Sequence, residues 1–170
     1  YGHGISTSPV HLASAYASLL NGGYKVEPTL LKQRAPQLGD RVVRAEVSEA
    51  ARQMLRQVVT EGTASFGDVP GYAVGGKTGT ADKPRPNGGY YKARPRTTFA
   101  SVFPAHVPKY VLVVTLDEPV ETRGTEPRRS AGWTAVPVAA ELIRRTAPLL
   151  GLRPEIEPVA LESITLTSSD

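Results

Sequence analysis

Residues 75–81 read Gly75-Gly76-Lys77-Thr78-Gly79-Thr80-Ala81, and three glycines in five positions restrict the fold more than any other segment. Each glycine weakens a regular element through backbone entropy and the loss of a packing side chain, so a strand that keeps three of them needs a reason such as close approach of another backbone. Two architectures use such a string. In the first, Gly71-Tyr72-Ala73-Val74-Gly75-Gly76-Lys77-Thr78 satisfies G-x-x-x-x-G-K-[ST], the phosphate loop that leads from a strand into a helix. Gly79 and Pro84 then fall where that helix must open, and without a helix N-terminus there is no dipole to hold a phosphate. The second architecture keeps the string extended, as a strand over 73–81.

The rest of the chain predicts a mixed fold. Ser8-Pro9 is a helix start: the serine oxygen accepts a free amide proton, and proline at the first helical position gives up no needed donor. A helix over 9–21 follows, with Val10, Leu12, Ala13, Tyr16, Leu19 and Leu20 on one face and Asn21-Gly22-Gly23 as its stop. Residues 24–46 mix short β-type runs with Pro28, Pro36 and Gly39 and read as short strands or loops. Ser48 is expected to cap a second helix that turns Ala51, Met54, Leu55, Val58 and Val59 inward and ends at Gly62. Strands are expected at 73–81, 97–104 and 109–116, the last central and buried on its β-branched residues, with an exposed, mobile loop over 82–96. Residues 131–150 carry an apolar helical pattern interrupted at Pro137 and Pro148, and 151–170 is expected to be a loosely packed extension.

Composition removes several chemistries. The chain has 170 residues, the size of one domain, and 40% apolar residues are enough to bury a core. Without cysteine it has no disulfide, thiolate zinc site or cysteine nucleophile. His3, His11 and His106 lack the spacing and companion carboxylates of a metal site, so no metal is expected. The apolar run 111–114 is far short of the roughly 20 residues that cross a bilayer. The basic cluster Lys83, Arg85, Lys92, Arg94 and Arg96, with Tyr90 and Tyr91 inside it, resembles a single-strand nucleic-acid platform, but a solvated loop beside an anionic-substrate cleft explains it more simply, and no nucleic-acid partner is expected.

Lys77-Thr78-Gly79 is also the strand motif of penicillin-binding proteins and serine β-lactamases. Around it the chain resembles class B penicillin-binding proteins in several segments taken in order. These are Tyr1-Gly2-His3-Gly4-Ile5-Ser6 with Thr7-Ser8-Pro9-Val10-His11-Leu12-Ala13, then Asn21-Gly22-Gly23, Pro28-Thr29-Leu30, Val58-Val59-Thr60-Glu61-Gly62-Thr63 and Val69-Pro70-Gly71-Tyr72. Gly88-Gly89-Tyr90, the run 99–104, Leu116-Asp117-Glu118-Pro119 and Ala135-Val136-Pro137-Val138 continue the series. The match covers about 1–150 and points to the septal, cell-division branch of peptidoglycan DD-transpeptidases.

The resemblance implies an α/β (α+β) fold of the serine β-lactamase and DD-transpeptidase type, with an antiparallel sheet of about three strands in this segment packed by helices. Residues 1–150 would be the C-terminal part of the transpeptidase domain and 151–170 an extension. Lys77, Thr78, Gly79 and Thr80 would bind substrate, with Lys77 and Thr80 also catalytic: Lys77 as a fixed cation, the Thr78 and Thr80 hydroxyls on a carboxylate, and the Thr80 N–H in an oxyanion hole. Physics agrees with these roles, since an edge strand can take an extended peptide as one more strand, Gly79 leaves room for it, and an ionised acceptor strengthens each hydrogen bond. The bland alternative is a solvated edge-strand lysine that blocks aggregation.

A serine transpeptidase also needs a serine with a lysine one helical turn on. No serine here is followed three residues later by lysine, and neither Asn21 nor Asn87 stands two residues after a serine. The chain therefore reads as a segment that holds the substrate strand while the nucleophile lies upstream, and alone it is expected to be inactive. The implied ligands are peptidoglycan stem peptides and β-lactam antibiotics, with division-complex membrane proteins as partners, no cofactor, and a place on the periplasmic face of the bacterial inner membrane under an upstream anchor. Sheet left exposed in the segment predicts self-association. Alternatives are a non-catalytic sensor module that captures β-lactam or muropeptide on the same fold, and a hydrolytic relative.

Overall fold

Helix α1, Pro9–Leu20, begins where the sequence places it: the Ser8 side chain accepts a hydrogen bond from the His11 amide at 3.3 Å. It stops at Asn21, followed by Gly22 and Gly23 at φ +94° and +89°. The computed structural model describes residues 5–35 and 37–155; Tyr1, Gly2, His3 and Gly4 of the opening segment, Pro36, and residues 156–170 of the extension lie outside the described residues. Helix α2, Ala45–Thr60, starts three residues before Ser48 and has no side-chain cap. Ser48 is instead fully buried within the helix, and its hydroxyl accepts from the Gly22 amide at 3.0 Å. Arg52 reaches the Leu20 carbonyl at 3.0 Å, so α2 caps the end of α1. Met54, expected inside, is 60% exposed.

Among the described residues the sheet has three antiparallel strands in the order β1-β2-β3: β1 Gly75–Pro84, β2 Tyr90–Phe103 and β3 Tyr110–Asp117. Two expectations are corrected here. The central strand is β2, while β3 is an edge, its apolar residues half-covered by α1 and α3 from the two faces. Segment 82–96 is not a loop: β1 runs on to Pro84 and β2 begins at Tyr90, leaving a tip of five residues closed by Gly88 and Gly89 at positive φ. Alternation along β2 assigns the two faces. Phe99 and Phe103 point into the larger core with Val59, Ala64, Val74, Val114, Val136, Ala139 and Ile143, and Val102 points into the smaller one with Leu20 and Ala105.

Helix α3, Ala135–Thr146, covers the first face. Pro137 does not interrupt it, because in the first turn a missing N–H leaves no helical hydrogen bond unmade. The start of the extension is packed rather than loose. Leu152 is buried, the Glu155 amide donates to the Gly71 carbonyl at 2.8 Å, and His106 Nε2 lies 2.9 Å from the Glu155 carboxylate.

Candidate functional site

The glycine-rich string forms the outer edge of the sheet, extended throughout, with no helix after Lys77-Thr78. This geometry removes the phosphate-loop reading. Each glycine has its own cause. A Cβ on Gly75 would stand 3.3 Å from the α2 backbone at Leu55 and Arg56, and one on Gly76 would stand 2.6 Å from the Phe99 ring and 2.7 Å from the Ala100 carbonyl. At Gly79 the nearest atom is 3.9 Å away, so internal packing does not require a glycine there. The space belongs to whatever lies along the edge.

Lys77 and Gly79 share one face of β1, and Thr78 and Thr80 the other. Lys77 is exposed, and its ammonium donates to the Thr78 carbonyl at 2.9 Å. Among the described residues no carboxylate pairs with it. The Thr78 hydroxyl lies 2.9 Å from that of Thr63, in the turn after α2, and the Thr80 hydroxyl accepts from the Ala131 amide at 3.0 Å, in the turn before α3. These three segments enclose a cleft of about 400 Å³ lined by the hydroxyls of Thr63, Ser65, Thr78, Thr80 and Ser130, with Phe66 and Trp133 as its apolar wall. The two aromatic rings stand 5.0 Å apart, and the Arg128 guanidinium lies 3.7 Å over the indole. Residues from three segments thus meet at one strand edge. Sequence reasoning named Lys77, Thr78, Gly79 and Thr80, and the structure sets Thr78 and Thr80 at the cleft and Lys77 and Gly79 on the other face of the same strand; sequence reasoning gave no role to Thr63, Phe66, Ala131 or Trp133. No spacing rule could have found them, because their partners are fixed by tertiary packing.

The basic cluster beside the site is held on the strand arms. Lys83 Nζ bonds Asp117 at 2.9 Å and Glu118 at 2.8 Å, Arg94 grips Glu118 through two bonds of 2.9 and 2.7 Å, and Arg96 approaches Asp117 at 3.6 Å. Arg94 and then Lys83 hold the Glu118 carboxyl down at about 2, from an ordinary 4.5. Arg85 and Arg94 also stack on Tyr91. The cluster is a clip across the three strands, much of its charge neutralised, and not a solvated loop.

Such a site can bind and orient a ligand, through a free strand edge that carries hydroxyls on one face and an unpaired cation on the other. Nucleophile activation is a different matter, since among the described residues no lysine donates to a serine hydroxyl. Residues 1–144 match the model of the penicillin binding protein transpeptidase domain. A probable peptidoglycan D,D-transpeptidase FtsI of Caulobacter vibrioides is 36% identical over 95% of the chain, which spans 29% of that relative's length. The apo transpeptidase domain of Burkholderia pseudomallei penicillin-binding protein 3 superposes with a TM-score of 0.74 at 33% identity, covering 86% of this chain and 43% of that one. Penicillin-binding protein 3 of Mycobacterium tuberculosis, complexed with ampicillin, gives 0.71 at 30% identity over 86% of this chain and 36% of that one.

Proposed function

The chain belongs to the transpeptidase-domain family of class B penicillin-binding proteins, and from that premise we propose that it is the substrate-binding part of a peptidoglycan DD-transpeptidase acting in septum formation. Residues 1–150 supply the C-terminal part of the transpeptidase domain, 151–170 an extension, and the serine lies upstream. The observation that carries this reading is the edge strand, where among the described residues Lys77 lacks an acid partner and the Thr80 hydroxyl, already accepting from the Ala131 amide, keeps its proton for a ligand.

A stem peptide ending in D-Ala-D-Ala lies along β1 as a fourth strand, its backbone paired with the free edge and Gly79 giving it room. Its terminal carboxylate meets the Thr78 and Thr80 hydroxyls, each bond strengthened by the ionised acceptor, and the long Lys77 side chain, rooted on the other face of the same edge, supplies a positive charge. The upstream serine attacks the penultimate D-Ala carbonyl carbon, and the carbonyl oxygen becomes an oxyanion held by the Thr80 N–H and the serine's own amide. The C–N bond to the terminal D-Ala breaks, that residue leaves as its amine, and an amine of a neighbouring stem peptide takes the acyl group while the serine regains its proton. β-Lactams enter the same first step. The mature enzyme sits on the periplasmic face of the inner membrane, held by an anchor upstream of these residues and in contact with membrane proteins of the division complex.

Acylation by a fluorescent penicillin tests this. In the full-length protein Lys77→Ala should slow acylation by about 10- to 150-fold, the range expected for one hydrogen bond to a charged group. Residues 1–170 alone should form no covalent adduct. Unchanged acylation in Lys77→Ala, or a stoichiometric adduct on one serine of the isolated chain, would overturn the reading. Acylation without transfer to an added amine would favour the sensor module instead.

A further inference from the structure

We infer that Thr63 is a positioning residue that turns the Thr78 hydroxyl into a donor for the ligand's carboxylate; the inference rests on the role proposed for Thr78 above. A threonine hydroxyl carries one proton and two acceptor positions. A carboxylate only accepts, so each hydroxyl that binds it must direct its single proton outward. Thr80 does so by construction, because the Ala131 backbone N–H can only donate to it. Among the described residues Thr78 has no such backbone partner. Its oxygen faces the Thr63 hydroxyl at 2.9 Å, and Thr63 makes no other side-chain hydrogen bond among the described residues, so its own proton is available. When a carboxylate takes the proton of Thr78, Thr63 must donate to Thr78. The result is a two-hydroxyl chain pointing at the ligand, in which each bond polarises the next.

The frame holds Thr63 in that place from two sides. The amide of Ala64, the next residue, donates to the Val58 carbonyl at 3.1 Å and ties the turn to the end of α2. On the other side the Thr63 carbonyl touches the turn before α3 so closely that a Cβ on Gly132 would stand 2.5 Å from it. Fifteen residues separate Thr63 from Thr78 in sequence, yet the side chain of one is fixed against that of the other. The turns at 63 and 131 therefore do the same work for Thr78 and Thr80, one through a side chain and one through the backbone.

The side-chain half is open to mutation. In the full-length protein, acylation rates are measured with a penicillin and with its carboxylate methyl ester for wild type, Thr78→Val, Thr63→Val, Thr63→Ser and the Thr63→Val/Thr78→Val double variant, with melting curves for each. Thr78→Val should lower the preference for the free acid over the ester. Thr63→Val should lower the same preference by about three- to tenfold, the range of one neutral hydrogen bond, with the free-acid rate falling more than the ester rate. Thr63→Ser should restore it, and the double variant should be no worse than Thr78→Val. If Thr63→Val does not fold, Thr63→Ala takes its place. A preserved preference in the Thr63 variant beside a reduced one in Thr78→Val overturns the inference alone, as does an equal loss of acid and ester rates, which marks a structural role. A preserved preference in Thr78→Val overturns the assignment of Thr78 and the inference with it.

Discussion

Two neighbouring glycines of β1 should respond to alanine in opposite ways. At Gly76 the new Cβ would stand 2.6 Å from the Phe99 ring, where ordinary contact begins near 3.4 Å, so something must yield by about 0.8 Å. Phe99 is fully buried and the Ala100 carbonyl, 2.7 Å from the same point, belongs to the paired strand, so neither swings aside. Overpacking of this kind costs about 1–3 kcal/mol. With about 2–4 °C per kcal/mol for a protein of this size, Gly76→Ala should lower Tm by roughly 2–12 °C. Gly79→Ala meets nothing nearer than 3.9 Å and should keep or slightly raise Tm, since alanine reduces the freedom of the unfolded chain. It should still obstruct a ligand lying along the edge, slowing penicillin acylation of the full-length protein by about 5- to 150-fold, the same steric cost expressed as a rate. Calorimetry and the acylation assay on both variants decide the matter. A Tm loss in Gly79→Ala refutes the packing argument, and wild-type acylation in Gly79→Ala refutes strand addition.

The clip at Glu118 gives a pH dependence. Its folded value, about 2, lies below the unfolded one, so its contribution is complete above the unfolded value and fades as pH falls from about 4.5 towards 2. The Tm difference between wild type and Glu118→Gln should therefore shrink over that interval, and a constant difference from pH 7 to pH 2 would contradict the assignment. Both outer strands of the sheet, β1 and β3, carry an unpaired edge within the described residues. The isolated chain should self-associate in sedimentation, and a monomer at every concentration would contradict this.

The limits of the sequence reading follow from where each signal resides. Helix α1 was legible because Ser8, Pro9, Asn21 and Gly22 act within a turn of its ends. Ser48 misled because its partner, the Gly22 amide, is 26 residues away, and nothing local separates a cap serine from a buried one. Pro84 and Pro95 have loop composition, yet strand pairing and the Glu118 clip carry the arms through them and leave only the tip at Gly88 and Gly89. The apolar run in β3 reports burial by helices on both faces and says nothing of its rank in the sheet. Within the site, the Lys77-Thr78-Gly79 string was visible because the chemistry is consecutive in sequence. Thr63 and Ala131 were not, being supplied by turns that only the folded chain brings to the strand.

In mechanical terms β1 is a beam. Its root is built in where Gly75 lies against α2 and Arg56 bonds the Val74 carbonyl, and it is pinned again at Lys83, with the tip overhanging beyond. Lys77, Thr78, Gly79 and Thr80 occupy the span between the two supports, each also paired with β2 along its length. A ligand laid on that span meets a surface already straight, so the ordering entropy of docking falls on the ligand and little on the protein. Releasing the pin would leave the span to its root and its pairing with β2, and would raise that cost at a distance, without touching any atom the ligand meets.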